Sequence, residues 1–177
     1  IISEAKAIST RSREIVLTGI DISSYQIDGK PALGLLMSRL KDIDALIRLG
    51  SLEIGVITKE LLEILSSMDN FAPHFHLSLQ SGCDETLKRM NRKYTAEEYY
   101  EVCKRLRRYY DNPALTTDVI VGFAGETEEE FAECKAFLEK IAFFETHVFK
   151  FSIRKGTRAA KMENQVPDQI KTKRSNE

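Results

Sequence analysis

Strand-like and helix-like stretches alternate along this sequence from end to end, and no other feature restricts its fold as much. Such alternation builds a parallel sheet, because parallel neighbours need a long crossover and a helix supplies it. The strand-like stretches are residues 14–18, 45–49, 74–79, 115–121 and 147–151, and helices fill the gaps. Two helix starts carry capping boxes, Thr95-Ala-Glu-Glu98 and Thr127-Glu-Glu-Glu130, in which a hydroxyl and a carboxylate satisfy first-turn amides reciprocally. Behind them, Tyr99, Val102, Leu106 and Tyr109, then Phe131, Cys134, Leu138 and Ile141, recur every three or four residues and predict one buried stripe per helix. Residues 168–174 read as the start of a further helix.

Side chains alternate across a strand, so its two faces are legible separately. In HFHLSLQ, Phe75, Leu77 and Leu79 share one face and His76, Ser78 and Gln80 the other. In LTTDVIVG, Leu115, Thr117, Val119 and Val121 alternate against Thr116, Asp118, Ile120 and Gly122. A parallel strand covered by helices on both faces is apolar on both. These are not, which predicts helices on one face and a ligand against the other. The expected fold is α/β, an incomplete parallel (β/α) barrel: five strands fall short of the eight in a closed barrel of about 250 residues, with the first strand expected upstream. The 177 residues, 42% of them hydrophobic, suffice for one core. The expected organisation is a partial barrel over 1–152 and a basic tail over 153–177. Because the chain opens at Ile1 on what reads as a helix already under way, we expect a segment of a longer protein.

The net charge of -1 gives no global attraction to nucleic acid, yet residues 150–174 hold eight bases against two acids. A solvated face is the commoner reason for such a run. No apolar stretch approaches the length of a membrane span and no signal layout opens the chain, so a soluble, cytoplasmic protein is expected. Cys83, Cys103 and Cys134 are too scattered for a disulfide framework or a metal pair; Cys103 and Cys134 fall on apolar helix stripes, as small hydrophobes do. His74, His76 and His147 lack a clear third ligand, and structural histidines are the simpler reading. Neither a nucleophile paired with a base nor G-x-S-x-G is present.

Polar groups gather where parallel sheets place ligands, at the carboxyl ends of strands. Glu53 follows the second strand, Gln80 and Ser81 follow the third, and Asp118 sits within the fourth. Arg92, in LKRMNRKYT, offers a guanidinium able to pair bidentately with a carboxylate. The loop VGFAGET brings Gly122 and Gly125 to a helix start, where backbone amides can approach a ligand closely.

The strings EIVLTGIDISSY, RLGSLE, HFHLSLQSGCDETLKRMNRKYT, TTDVIVGFAGETEEEF and HVFKFSIRKGTRAAKMENQV, in that order over residues 14–166, resemble the successive motifs of radical S-adenosylmethionine methylthiotransferases. The chain is most similar to the branch acting on threonylcarbamoyladenosine in transfer RNA. The resemblance implies a six-strand incomplete barrel that binds S-adenosylmethionine on a four-iron four-sulfur cluster. Reductive cleavage, fed by an electron donor, gives a deoxyadenosyl radical that abstracts hydrogen before sulfur is inserted. It implies that Gly19 lies near the methionine amino group, that Glu53, Gln80, Arg92 and Asp118 hold the ribose and amino-acid end with Ser81 beside them, and that the loop Gly122–Glu126 flanks the adenine. No catalytic residue is expected within the chain. The cluster motif C-x-x-x-C-x-x-C is absent and its cysteines are expected upstream of Ile1, as a C-terminal RNA-binding domain is expected beyond Glu177. RLGSLEI and GFAGE depart from the family's usual serine-proline and GFPGE.

Two other readings compete. A non-catalytic α/β module binding RNA or a protein through its basic tail predicts RNA binding without cofactor. A partial barrel acting on a phosphorylated metabolite, with Asp118 and Glu53 as acid and base, predicts phosphate binding and leaves Arg92 without a role.

Overall fold

The alternation is present in the structure, a computed structural model that describes residues 1–177. In chain order the elements are α1 (Ile2–Ser9), β1 (Glu14–Leu17), β2 (Gln26–Ile27), β3 (Lys30–Pro31), α2 (Leu33–Ser38), β4 (Leu46–Leu49), α3 (Lys59–Ser66), β5 (His74–His76), α4 (Asp84–Arg89), α5 (Ala96–Tyr109), β6 (Ala114–Val121), α6 (Glu128–Ile141), β7 (Glu145–Lys150) and α7 (Asp168–Asn176). Each of the five expected strands forms, the third shorter than its apolar pattern. The elements fall into two units, residues 1–78 with 104–115 and residues 79–103 with 116–177.

In the first unit β1 and β4 run parallel, with Glu14 opposite Leu46 and Leu17 opposite Leu49. The crossover between them carries α2, and α3 carries the next one to β5. Parallel bridges join Ile47 to Phe71 and Leu52 to Leu77, so β4 lies between β1 and the β5 segment. Thr58 caps α3 by accepting the Leu61 amide at 3.2 Å. The helix then buries Leu61, Leu62 and Leu65, and Met37, Leu40, Ile47 and Phe75 of the same unit are fully buried as well. The Asn70 amide donates to the carbonyls of Leu40, Ile43 and Ala45, which fixes the turn leading into β4. The β2–β3 hairpin is not among the elements expected from the sequence. Its signal is Asp28-Gly29, both at positive φ (51° and 74°), the pair a tight two-residue turn requires.

In the second unit β6 and β7 are parallel, Asp118 standing opposite His147 and Val119 opposite Val148. On β6, Thr117, Val119 and Val121 are buried while Asp118 and Ile120 are half-buried, as the alternation predicts; Thr116 is buried as well. Both capping boxes form: Thr95 accepts the Glu98 amide and Glu98 the Thr95 amide, and Thr127 and Glu130 do the same. The α5 stripe is buried at Tyr99 and Val102 in this unit, and its continuation in the first unit has Leu106 buried and Tyr109 half-buried. On α6 the buried stripe is Cys134, Phe137 and Ile141, while Phe131 and Leu138 are half-buried. The helix is turned so that Phe137 meets Gly82, where a Cβ would come within 2.7 Å of the Phe137 Cβ. Residues 168–176 form α7, a helix as expected. No helix is long and apolar enough to cross a membrane.

Candidate functional site

In the first unit the structure brings Gly19 and Glu53 to neighbouring loops at the carboxyl ends of β1 and β4. Asp21 accepts the amides of Ser23 and Ser24 at 3.1 and 3.3 Å, shaping the short turn Ile22–Ser24 after Gly19. The Ser23 hydroxyl then accepts the Glu53 amide at 2.9 Å, and the Gly50 amide donates to the Leu17 carbonyl at 2.8 Å. These two bonds tie the loops together. Glu53 is exposed and lines a cleft of about 490 Å3 with Asp21, Ser23 and Glu60 over an apolar floor that includes Leu61 and Ile64. Gly19 lines a smaller, mostly apolar cavity of about 210 Å3, in which Asp21 also takes part.

In the second unit the main chain of Gln80 pairs with β6 opposite Val119, next to Asp118. Gln80 adopts φ +69°, a left-handed conformation uncommon for a side chain of this size. Its amide donates to the Asp118 carbonyl and its carbonyl accepts the Ile120 amide, both at 2.9 Å. The residue before it is pinned on both main-chain groups: the Leu79 amide donates to Thr117 Oγ1 at 3.1 Å, and the Tyr94 hydroxyl donates to the Leu79 carbonyl at 2.8 Å. The buried Tyr99 hydroxyl lies 3.4 Å from the same Thr117 oxygen, and burial pushes its pKa well up. Tyr94, Tyr99 and Thr117 thus support the strained turn. Of these, alternation and periodicity in the sequence place only Tyr99 and Thr117, and only as core.

Ser81 is 1% exposed, and its hydroxyl accepts the Cys83 amide at 3.2 Å, so it points into the protein beside Gln80. Arg92 is held through its main chain, its amide donating to the Leu87 carbonyl at 2.9 Å. It lines a separate cleft of about 380 Å3 whose walls include Asp84, Glu85 and Glu98 but neither Gln80 nor Asp118.

The loop after β6 is built around Gly122 at φ +72°. Its amide donates to Glu126 Oε1 at 2.9 Å, and a Cβ there would meet Lys171 Cγ at 2.3 Å, so only glycine fits. Glu126 is buried against Arg174 at 2.7 Å. Burial pushes its carboxyl above the ordinary range, while the Gly122 amide and Arg174 pull it back. From the other side Arg89 donates to the Ala124 carbonyl at 3.1 Å and forms a two-pronged pair with Glu130, which holds that carboxyl below the usual range. Arg89 lies three residues before Arg92, in the same motif. Of the eight bases in residues 150–174, Lys171 and Arg174 are therefore turned inward.

Within the first unit the Glu53 carboxyl, and within the second the Asp118 carboxyl and the Gln80 amide, are groups able to accept from hydroxyl or ammonium donors. The thiols do not suit a metal cluster, which needs thiolates. Burial pushes Cys83 and Cys134 up, and the Cys134 sulfur accepts the Gly82 amide at 3.1 Å.

The family model described as the radical SAM superfamily matches residues 1–138. Over 167 residues the chain is 43% identical to the threonylcarbamoyladenosine tRNA methylthiotransferase MtaB of Bacillus subtilis (strain 168), covering 92% of this chain and 37% of that protein. It is 41% identical over 177 residues to the MtaB of Aquifex aeolicus (strain VF5), covering 98% and 43%. To a tRNA-2-methylthio-N(6)-dimethylallyladenosine synthase of Clostridium botulinum (strain Okra) it is 39% identical over 175 residues, covering 97% and 39%. The chain thus spans about two fifths of the length of these curated relatives. Among solved structures it is similar to coproporphyrinogen III oxidase (HemN) of Escherichia coli, a radical SAM enzyme, with a TM-score of 0.72 at 16% identity over 97% of this chain and 42% of that one. It is also similar to TsrM of Kitasatospora setae, a radical S-adenosylmethionine methyltransferase with cobalamin and a [4Fe-4S] cluster bound, with a TM-score of 0.68 at 15% identity over 85% and 30%. The expected fold, an incomplete parallel barrel of the radical S-adenosylmethionine type, is thereby met.

Proposed function

This chain belongs to the radical S-adenosylmethionine superfamily, and we propose that it is the cofactor-binding segment of a longer enzyme that inserts a methylthio group into threonylcarbamoyladenosine of transfer RNA. The reading rests above all on one observation. In a chain 43% identical over 167 residues to a methylthiotransferase of that substrate, the main chain of the motif residue Gln80 is tied to the strand that carries Asp118, its amide donating to the Asp118 carbonyl and its carbonyl accepting the Ile120 amide.

Bound S-adenosylmethionine supplies the radical and the sulfonium group; this chain's residues bind and orient it. The carboxylates of Asp118 and Glu53 accept hydrogen bonds from hydroxyl or ammonium donors, and the Gln80 amide adds a polar contact beside Asp118. The motif match assigns Gly19 to the methionine amino group, the loop from Gly122 to the adenine and the Arg92 guanidinium to the methionine carboxylate, a role for which Arg92 must turn from the separate cleft it lines in this structure. Ser81 acts from behind, holding the turn that follows Gln80. Burial disfavours the thiolate at Cys83 and Cys134, and the three buried cysteines are scattered along the chain, so in this reading the cluster draws its ligands from elsewhere in the longer protein. The transfer RNA substrate, an electron donor and a cytoplasmic setting belong to the same proposal.

The test is nucleoside mass analysis of transfer RNA incubated with the longer, cluster-loaded enzyme, S-adenosylmethionine and reductant. The reading expects methylthio-threonylcarbamoyladenosine. Product only from dimethylallyladenosine-containing RNA reassigns the substrate, a choice raised by the 39% identity to the Clostridium enzyme. Product from neither refutes the reading.

A further inference from the structure

We infer that Arg174 is a positioning residue for the cofactor loop, fixing the main chain of Gly122–Glu126 through the Glu126 carboxylate. The inference rests on the functional reading above, which sets that loop against the adenine of S-adenosylmethionine. Arg174 lies on α7, beyond the residues 1–138 that the superfamily model matches.

The geometry is a closed ring. The Gly122 amide donates to Glu126 Oε1 at 2.9 Å, and Arg174 Nη1 donates to the same oxygen at 2.7 Å and to the Glu126 carbonyl at 3.2 Å. Arg174 Nη2 reaches Glu128 Oε1 at 2.7 Å, and the guanidinium carbon lies 5.3 Å from the centre of the Phe131 ring. Arg174 is 4% exposed, so the Glu126 charge has a buried partner there. A simple stabilising ion pair would not need the loop amide. Here one carboxylate oxygen is shared between the amide that opens the loop and the arginine that anchors it. The same helix presses Lys171, 6% exposed, against Gly122. The Gly125 amide donates to the Asn164 carbonyl at 2.9 Å, and the Arg89 bond to Ala124 closes the other side. Four loop groups, Gly122 N–H, Ala124 C=O, Gly125 N–H and Glu126 C=O, are thus tied to protein. Removing the guanidinium leaves a buried carboxylate unpaired, and the loop must open to hydrate it. Lysine cannot supply two prongs at fixed angles and does not substitute.

The test uses the longer, cluster-loaded enzyme and two readouts besides turnover: hydrogen exchange of the peptide covering residues 118–127, and equilibrium binding of S-adenosylmethionine. Arg174→Lys and Arg174→Ala are expected to speed exchange at Gly122–Glu126 while β6 exchange is unchanged. Both should weaken S-adenosylmethionine binding by about tenfold, the equivalent of one charged hydrogen bond. Lys173→Ala, an exposed position on the same helix whose side chain faces Glu177, is expected to change neither readout. Should Arg174→Lys leave exchange unchanged, or speed it with cofactor affinity intact, the inference is overturned. If the unmutated enzyme binds no S-adenosylmethionine, the functional reading itself is refuted and the inference goes with it.

Discussion

Substituting Gly122 by alanine probes the loop anchor through sterics alone. Two costs add. The backbone there sits at φ +72°, and a Cβ in the left-handed region costs about 1–2 kcal/mol. The same Cβ would lie 2.3 Å from Lys171 Cγ, 3.3 Å from its Cβ and 3.2 Å from its Cδ. The contact falls near the base of a buried side chain on a helix, so it yields only by a rotamer change or a shift of α7. Overpacking of this kind costs about 1–3 kcal/mol. Gly122→Ala should therefore destabilise the protein by about 2–5 kcal/mol in urea unfolding. A double-mutant cycle separates the two parts, because Lys171→Ala removes Cγ and leaves φ untouched. In that background Gly122→Ala should cost only about 1–2 kcal/mol. An equal cost in both backgrounds would refute the packing of α7 against the loop, and a cost near zero would refute the left-handed backbone as well.

Thr117→Val leaves the Leu79 amide without its side-chain acceptor in a buried setting and should cost about 1–3 kcal/mol, with Thr117→Ser restoring stability; urea unfolding of the two variants decides. The carboxyls of Glu130 and Glu126 tilt pH stability in opposite senses. Arg89 holds Glu130 low, so its contribution is full above the ordinary glutamate value of about 4.3 and is lost as pH falls through its depressed folded value. Burial raises Glu126, so it favours the folded state at low pH and that contribution is lost as pH rises from the ordinary value through the raised one. Unfolding measured across the acid range should find a shallower acid limb in Glu130→Gln and the loss of the opposite slope in Glu126→Gln; an unchanged profile in both would contradict these environments.

Much of the fold was legible because its signals are local. Period-two alternation located the five strands, and the reciprocal chemistry of Thr95 with Glu98 and Thr127 with Glu130 marked two helix starts. The buried face of α6 was misjudged by part of a turn, since periodicity names Phe131 and Leu138 as readily as Phe137. Only the close approach to Gly82 decides for Phe137. The short hairpin at Asp28-Gly29 leaves no periodic signal in the sequence, because strands of two residues carry no alternation. At the candidate site, strand ends and motif strings point to Gln80 and Asp118, whose main chains are linked by one hydrogen bond. What supports them was hidden for a physical reason. Glu126 and Arg174 are 48 residues apart, and in sequence Arg174 is one more base in a solvated run; only the packing of α7 buries it. Arg89 and Arg92 share one motif, yet only the fold distinguishes the arginine that grips the loop from the one that lines a cleft.

The central claim, that this chain holds S-adenosylmethionine for radical chemistry, is tested most directly by measuring 5′-deoxyadenosine released from S-adenosylmethionine by the longer, cluster-loaded enzyme under reductant. Deoxyadenosine is expected from the unmutated protein, with a severe loss in Asp118→Ala at near-unchanged unfolding stability, because Asp118 lies on the half-buried face of β6. An intact cluster that yields no deoxyadenosine, or an Asp118→Ala variant that yields as much as the parent, would contradict it.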